Sequence, residues 1–142
     1  MNDIQKVFPP SKIDHIGIAV HSIEKALSFY IELLGLSLEK IESVPSEGVK
    51  VAFLKIGETR IELLEPLHKE SSIYTYLQKN GEGIHHIALE TKNMESQLEQ
   101  LMKNGVKVIP KTPKKGANNK QISFIHPHST HGVLYELCSK IN

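Results

Sequence analysis

Hydrophobic positions along the chain switch between a period of two and a helical period, and the switches mark its elements. From Lys12 to Val20 the residues alternate, with Ile16, Ile18 and Val20 on one face and His15, Gly17 and Ala19 on the other, which predicts a strand. Ile23, Ala26, Leu27, Tyr30, Leu33 and Leu34 then recur at helical spacing. With Ser22 as the N-cap and Gly35 as the stop, they predict a helix to about Leu34. Strands follow over residues 36–44 and 49–56, separated by a turn from Pro45 to Gly48, and Gly57-Glu58-Thr59 turns into a further strand from Arg60 to Leu64. The order is strand, helix and three antiparallel strands. Pro66 ends the unit, and Ser71 or Ser72 caps a short helix that Gly81 closes. The same order then returns: a strand from Ile84 to Glu90, a helix capped by Asn93 and ended by Gly105, and a strand from Val106 to Ile109. A loop from Pro110 to Asn119, a strand from Lys120 to His126, a turn from Pro127 to Gly132 and a strand from Val133 to Cys138 complete it.

The second pass repeats the first residue by residue. Laying His15 on His86, 71 positions later, puts Ile16 on Ile87, Ile18 on Leu89, Ser22 on Asn93 and Leu27 on Leu98. The closing strands match as well, with Glu62 on Glu136. The expected architecture is α+β, two tandem βαβββ modules over residues 12–66 and 83–138, joined by a linker helix within 67–82. A chain of 142 residues, 39% hydrophobic, suits one domain with a continuous core.

Charge narrows the partners. With 17 basic and 16 acidic residues the formal charge is +1, so nothing global points to nucleic acid or to an anionic membrane. No apolar run approaches the roughly 20 residues of a membrane span, and the N-terminus has no basic segment followed by an apolar one. The expectation is a soluble cytoplasmic protein with a loosely packed leader over residues 1–11. The single cysteine, Cys138, excludes an internal disulfide and, in an apolar strand, reads as a buried inert thiol.

Parity of the strands supplies the chemistry. His15, Glu62, His86 and Glu136 each sit on the strand face away from their large apolar neighbours. An approximate two-fold axis between the modules would bring all four together. Two imidazoles and two carboxylates suit one divalent ion, Co, Mn, Zn, Ni or Fe, with the carboxylates lowering any preference for zinc. The glutamates carry most weight, because an unpaired buried carboxylate costs several kcal/mol. His85 falls on the opposite face from His86 and reaches the same site only through a bulge. His126, His128 and His131 read as solvated residues near the mouth of a cleft, and His21 and His68 as surface. The segment from Lys111 to Lys120 is the most basic in the chain.

These motifs carry a resemblance. Asp14 to Val20, Gly48 to Leu54, Ile61 to Pro66, Gly83 to Ala88, Phe124 to Thr130 and Gly132 to Leu137 resemble methylmalonyl-CoA epimerase. That family belongs to the vicinal oxygen chelate superfamily, with glyoxalase I, extradiol dioxygenases and bleomycin-resistance proteins. The resemblance implies a half-open barrel around one divalent metal held by His15, Glu62, His86 and Glu136, in a homodimer. It also implies a coenzyme A thioester as substrate, with Lys111, Lys114, Lys115 and Lys120 meeting the phosphates and Ser129 and Thr130 completing the binding residues. Asn118-Asn119 stands where the family commonly has glycines, and Asn tolerates left-handed backbone.

The implied reaction removes the C2 proton of methylmalonyl-CoA and returns one to the opposite face through a metal-stabilised enolate. Glu136 is the expected base on one side, with Glu62 or Glu47, from the Pro45 to Gly48 turn, on the other. The alternatives are a glyoxalase-I-like lactoylglutathione lyase and a non-catalytic, resistance-type binding protein.

Overall fold

The computed structural model describes residues 8–141. The part of the predicted leader over residues 1–7 lies outside them; over 8–11 the chain is largely exposed, tied back where the Ser11 amide donates to the Glu90 carbonyl at 2.8 Å. The first module comprises β1 (Lys12–Ala19), α1 (Ile23–Leu27), β2 (Ser37–Val44), β3 (Val49–Ile56) and β4 (Thr59–Pro66). After α2 (Ser72–Asn80) the second comprises β5 (Gly83–Glu90), α3 (Met94–Lys103), β6 (Val108–Lys115), β7 (Lys120–Ile125) and β8 (Tyr135–Lys140).

All eight strands join one sheet in the order β2-β3-β4-β1-β5-β8-β7-β6. β1 and β5 run antiparallel at the seam, and each pairs in parallel with the last strand of its own module. The sheet curls into a half-open barrel with the alternation of the sequence dividing its two faces. On the convex face Val20, Ala52, Leu54 and Leu63 pack with Ile23 under α1, and Val108, Ile125 and Leu137 pack with Met94 and Leu98 under α3. On the concave face Val51, Phe53 and Leu64 pack with Ile73 and Leu77 of α2, and Ala88, Ile122 and Cys138 form the matching cluster of the second module.

Three elements differ from expectation. The helix from Ser22 is α-helical only to Leu27 and continues as a π-helical turn over Ser28–Leu33, where the Leu34 amide donates to the Phe29 carbonyl at 2.8 Å. The predicted loop from Pro110 is mostly strand, since β6 runs to Lys115 before a short 3₁₀ turn at Ala117–Asn119. Pro110 and Pro113 are tolerated because β6 is an edge strand with an irregular register between Ile109 and Lys114. The last strand begins at Tyr135, not Val133, and reaches Lys140. Asn118 (φ 56°) and Asn119 (φ 54°) adopt the left-handed conformation anticipated for them.

Candidate metal centre

Gly17 opens the site. It sits opposite His86 across the seam, and a Cβ there would lie 2.3 Å from Cε1 of that ring, so hydrogen alone leaves the room the imidazole fills. His15, one pleat away on the same face, brings its Nε2 to 3.1 Å from Nε2 of His86. Glu136, opposite Ala88 on β8, reaches both: Oε2 lies 3.6 Å from His15 Nε2 and Oε1 3.5 Å from His86 Nε2. All three side chains are buried. Donors surrounding one ion at about 2.1 Å stand roughly 3.0–3.4 Å apart at right-angled to tetrahedral angles. The separations of 3.1, 3.5 and 3.6 Å run from inside that range to about 0.2 Å beyond it, so a small closure of Glu136 toward the two rings would let the donor set hold a single divalent ion.

Behind each imidazole stands a polar residue that strand parity did not place there. The β1–β5 register passes from Ile13↔Leu89 to His15↔Ala88, leaving Asp14 bulged, and from Gly17↔His86 to Ile18↔Ile84, leaving His85 bulged. Asp14 is 1% exposed, and its Oδ2 accepts from His15 Nδ1 at 2.7 Å. That holds the ring with Nε2 toward the cavity, the usual arrangement behind a metal-ligating histidine. His85 Nδ1 lies 3.0 Å from His86 Nδ1, and its ring meets Tyr76 edge-on with centroids 4.9 Å apart. The bulge therefore brings His85 to the cavity wall, which correct parity in a regular strand would forbid. Both residues also sit 71 positions apart, the signal that could have revealed them.

The electrostatics of the two histidines are opposite. Burial alone would depress His15, but the charge of Glu62, hydrogen bonds to Asp14 and Glu62 and the charge of Glu136 push it up to about 10. Burial holds His86 well below the ordinary histidine value, reinforced by the charges of His15 and His85. Burial pushes Glu136 up to about 7 against the favourable charge of His15. Asp14 is held well below the usual carboxylate range despite its burial, because His15 and Lys120 both hydrogen-bond to it. Three buried carboxylates, Asp14, Glu62 and Glu136, face Lys120 and the protonated His15, and a divalent cation that displaced the His15 proton would take over its balancing charge.

Of the four residues expected as ligands, the structure brings His15, His86 and Glu136 within reach of one another. Glu62 is buried in the same cavity, but its carboxylate contacts Nδ1 of His15 at 3.0 Å, on the side of the ring away from the triad. The cavity itself measures about 290 Å³ and is walled by apolar side chains including Val51, Leu64, Ile73, Ile122, Phe124 and Leu134. Glu47 reaches it from the 3₁₀ turn Pro45–Glu47, and its Oε2 pairs with Lys114 Nζ of β6 at 3.0 Å.

The other lysines divide. Lys120, expected as an exposed phosphate contact, is instead buried at the start of β7 and bound to Asp14, so its charge is already neutralised. Lys111 and Lys115 are exposed on β6 and lie outside the cavity lining, Lys111 beside α3. Ser129 and Thr130 serve their own turn: Ser129 Oγ accepts from the Lys107 amide at 3.3 Å, and the Thr130 hydroxyl donates to the Val133 carbonyl. Cys138 is fully buried, and burial raises its thiol well above the ordinary value, as its apolar strand implied. Among the described residues no helix is long and apolar enough to cross a membrane.

The sequence profile of the Glyoxalase/Bleomycin resistance protein/Dioxygenase superfamily matches residues 14–124. The mitochondrial methylmalonyl-CoA epimerase of Homo sapiens is 39% identical over 127 residues, 89% of this chain and 72% of that protein. The ethylmalonyl-CoA/methylmalonyl-CoA epimerase of Cereibacter sphaeroides is 37% identical over 89% of this chain and 96% of its own length. A variant of the Streptomyces coelicolor methylmalonyl-CoA epimerase in complex with 2-nitronate-propionyl-CoA superposes with a TM-score of 0.89 at 36% identity, covering 92% of this chain and 95% of that one.

Proposed function

We propose that this protein, which belongs to the Glyoxalase/Bleomycin resistance protein/Dioxygenase superfamily and within it to the methylmalonyl-CoA epimerases, interconverts the (R) and (S) epimers of methylmalonyl-CoA. The observation that carries the reading is the meeting, in one apolar cavity, of carboxylates from both modules beside a buried His-His-Glu triad. The names of its relatives support the substrate class. His15, His86 and Glu136 would hold the divalent ion, and Glu62 would have to leave His15 Nδ1 to serve as a fourth ligand. When bound, that ion supplies Lewis-acid polarisation of the substrate's oxygen atoms.

The remaining work falls to the chain. A C2 proton lying between a thioester and a carboxylate is acidic, and its removal breaks one C–H bond, passing the proton to a carboxylate oxygen while the electron pair delocalises into the thioester. A second carboxyl group on the other face then supplies a proton. We assign Glu47 and Glu136 to the two faces, with Glu62 the alternative to Glu47. Such positioned proton transfer contributes roughly 10² to 10⁴-fold each. The apolar walls keep water from the reacting carbon. Lys111 and Lys115, exposed on β6, are the candidates for coenzyme A phosphates, since Lys114 is paired with Glu47 and Lys120 is buried against Asp14.

Proton NMR of the metal-loaded protein with methylmalonyl-CoA in D₂O tests this directly. Loss of the C2 proton signal that requires metal and disappears in Glu136→Gln is the expected result. A metal-loaded protein that exchanges nothing but converts methylglyoxal plus glutathione would replace the epimerase reading with the lyase.

A further inference from the structure

We infer that Lys114 is a positioning residue for Glu47, aiming the proton-transfer carboxylate of the first module from a strand of the second; the inference rests on the role assigned to Glu47 above. The backbone around Glu47 is fixed. Pro45 starts the 3₁₀ turn, Gly48 ends it with φ 64°, and the Gly48 carbonyl accepts from the Leu67 amide at 2.9 Å. The side chain is not fixed by this. Among the described residues the Glu47 carboxylate has one ion-pair partner, Lys114, and no hydrogen bond to backbone or to another side chain is seen.

Lys114 is placed to do this by register. It stands opposite Ile122 in the β6–β7 pair, and directly opposed residues share a sheet face, so both point into the cavity. Its side chain is 46% exposed and that of Glu47 19%, so the pair adds little to stability. Its consequence is directional: it spans the two modules and holds the Glu47 carboxylate at the wall of the cavity that the triad also lines. A second contact spans the same edges, the Asn118 amide donating to Glu42 Oε1 at 3.1 Å. Removing Lys114 therefore leaves the mouth tied while freeing the Glu47 side chain.

The test follows C2-proton loss from each purified epimer of methylmalonyl-CoA in D₂O, using the metal-loaded enzyme and the variants Glu47→Gln, Lys114→Gln and Lys114→Arg. Glu47 serves one face, so Glu47→Gln slows loss from one epimer while the other still exchanges with retention. Lys114→Gln should slow the same epimer about 10²-fold, the penalty of a displacement near 1 Å. KM and the melting temperature should stay near parental values, and Lys114→Arg should recover most of the rate. If Lys114→Gln leaves both epimers at parental rates, slows both equally or acts on KM alone while Glu47→Gln remains one-sided, the positioning role is wrong and Glu47 stands. If Glu47→Gln affects neither epimer, the assignment of Glu47 falls and Lys114 falls with it.

Discussion

Replacing Gly17 with alanine adds one methyl group at the closest approach of the two modules. Its Cβ would lie 2.3 Å from Cε1, 2.6 Å from Nδ1 and 2.8 Å from Nε2 of His86, whereas ordinary contact begins at 3.4 Å. The imidazole must therefore retreat by about 1.1 Å, the difference between 3.4 and 2.3 Å. It has little room to do so, with His85 Nδ1 at 3.0 Å and the Phe124 ring centroid at 5.9 Å. The backbone itself accepts alanine, since Gly17 does not use a left-handed φ. Overpacking costs about 1–3 kcal/mol, and the stiffer unfolded chain returns about 0.4–1 kcal/mol. The metal-free variant should thus be destabilised by on the order of 1–2 kcal/mol in urea unfolding. The larger effect is on the ligand. A ring displaced by this much should lower metal affinity roughly 10–100-fold, the range seen when a histidine ligand loses its orientation. Competition against a chromogenic chelator at fixed pH measures it. Parental affinity together with parental turnover in Gly17→Ala would refute the placement of His86 against Gly17, and with it the shared site.

Two further outcomes follow from the charges behind His15. Lys120→Met leaves the buried Asp14 carboxylate without its lysine and should cost about 3–5 kcal/mol in urea unfolding; the double variant Asp14→Asn/Lys120→Met should lose clearly less than the sum of the singles, and additive losses would show the pair is not coupled. The pH dependence is set by His15, whose folded value of about 10 exceeds the 6.5 of the unfolded chain, so its contribution is complete below pH 6.5 and disappears as pH rises through 10. Glu136, raised from 4.5 to about 7, has the same sign at lower pH, where the lowered His85 and His86 oppose it, which leaves the range from about pH 7 to 9 to His15; above pH 9 the raised Cys138 thiol adds a loss of the same sign. Thermal melts of the metal-free protein should fall across that range while metal affinity rises, because the ion displaces the His15 proton; a flat profile for both contradicts it.

The strands show why some of this was legible and some was not. Parity is a binary property of a pleated strand, so once Ile16, Ile18 and Val20 were assigned to the convex face, His15 and Gly17 had to face the other way. The same logic placed Glu62, His86 and Glu136. A bulge breaks parity without leaving a mark in the hydrophobic pattern, which is how Asp14 escaped notice and why His85 was assigned to the opposite face. Lys120 escaped for another reason. Its neighbours are polar and suggest a solvated loop, yet β7 begins there, and its burial depends on Asp14, 106 positions away. Proline hid β6, because an edge strand tolerates what a central strand does not.

The two bulges also explain an asymmetry that a doubled module would otherwise lack. Each places the residue before the ligand histidine behind or beside its ring, but the first copy has Asp14 there and the second His85. The charge of Glu62 and the hydrogen bond to Asp14 raise His15, whereas burial lowers His86 with no carboxylate in that neighbouring position, so two rings equivalent in the repeat differ in charge. Their Nε2 atoms, 3.1 Å apart, form a hydrogen bond only when one ring carries the proton and the other does not. The Glu62 carboxylate and the divergence at positions 14 and 85 together assign one proton to one ring, and that proton is what an arriving divalent ion must displace.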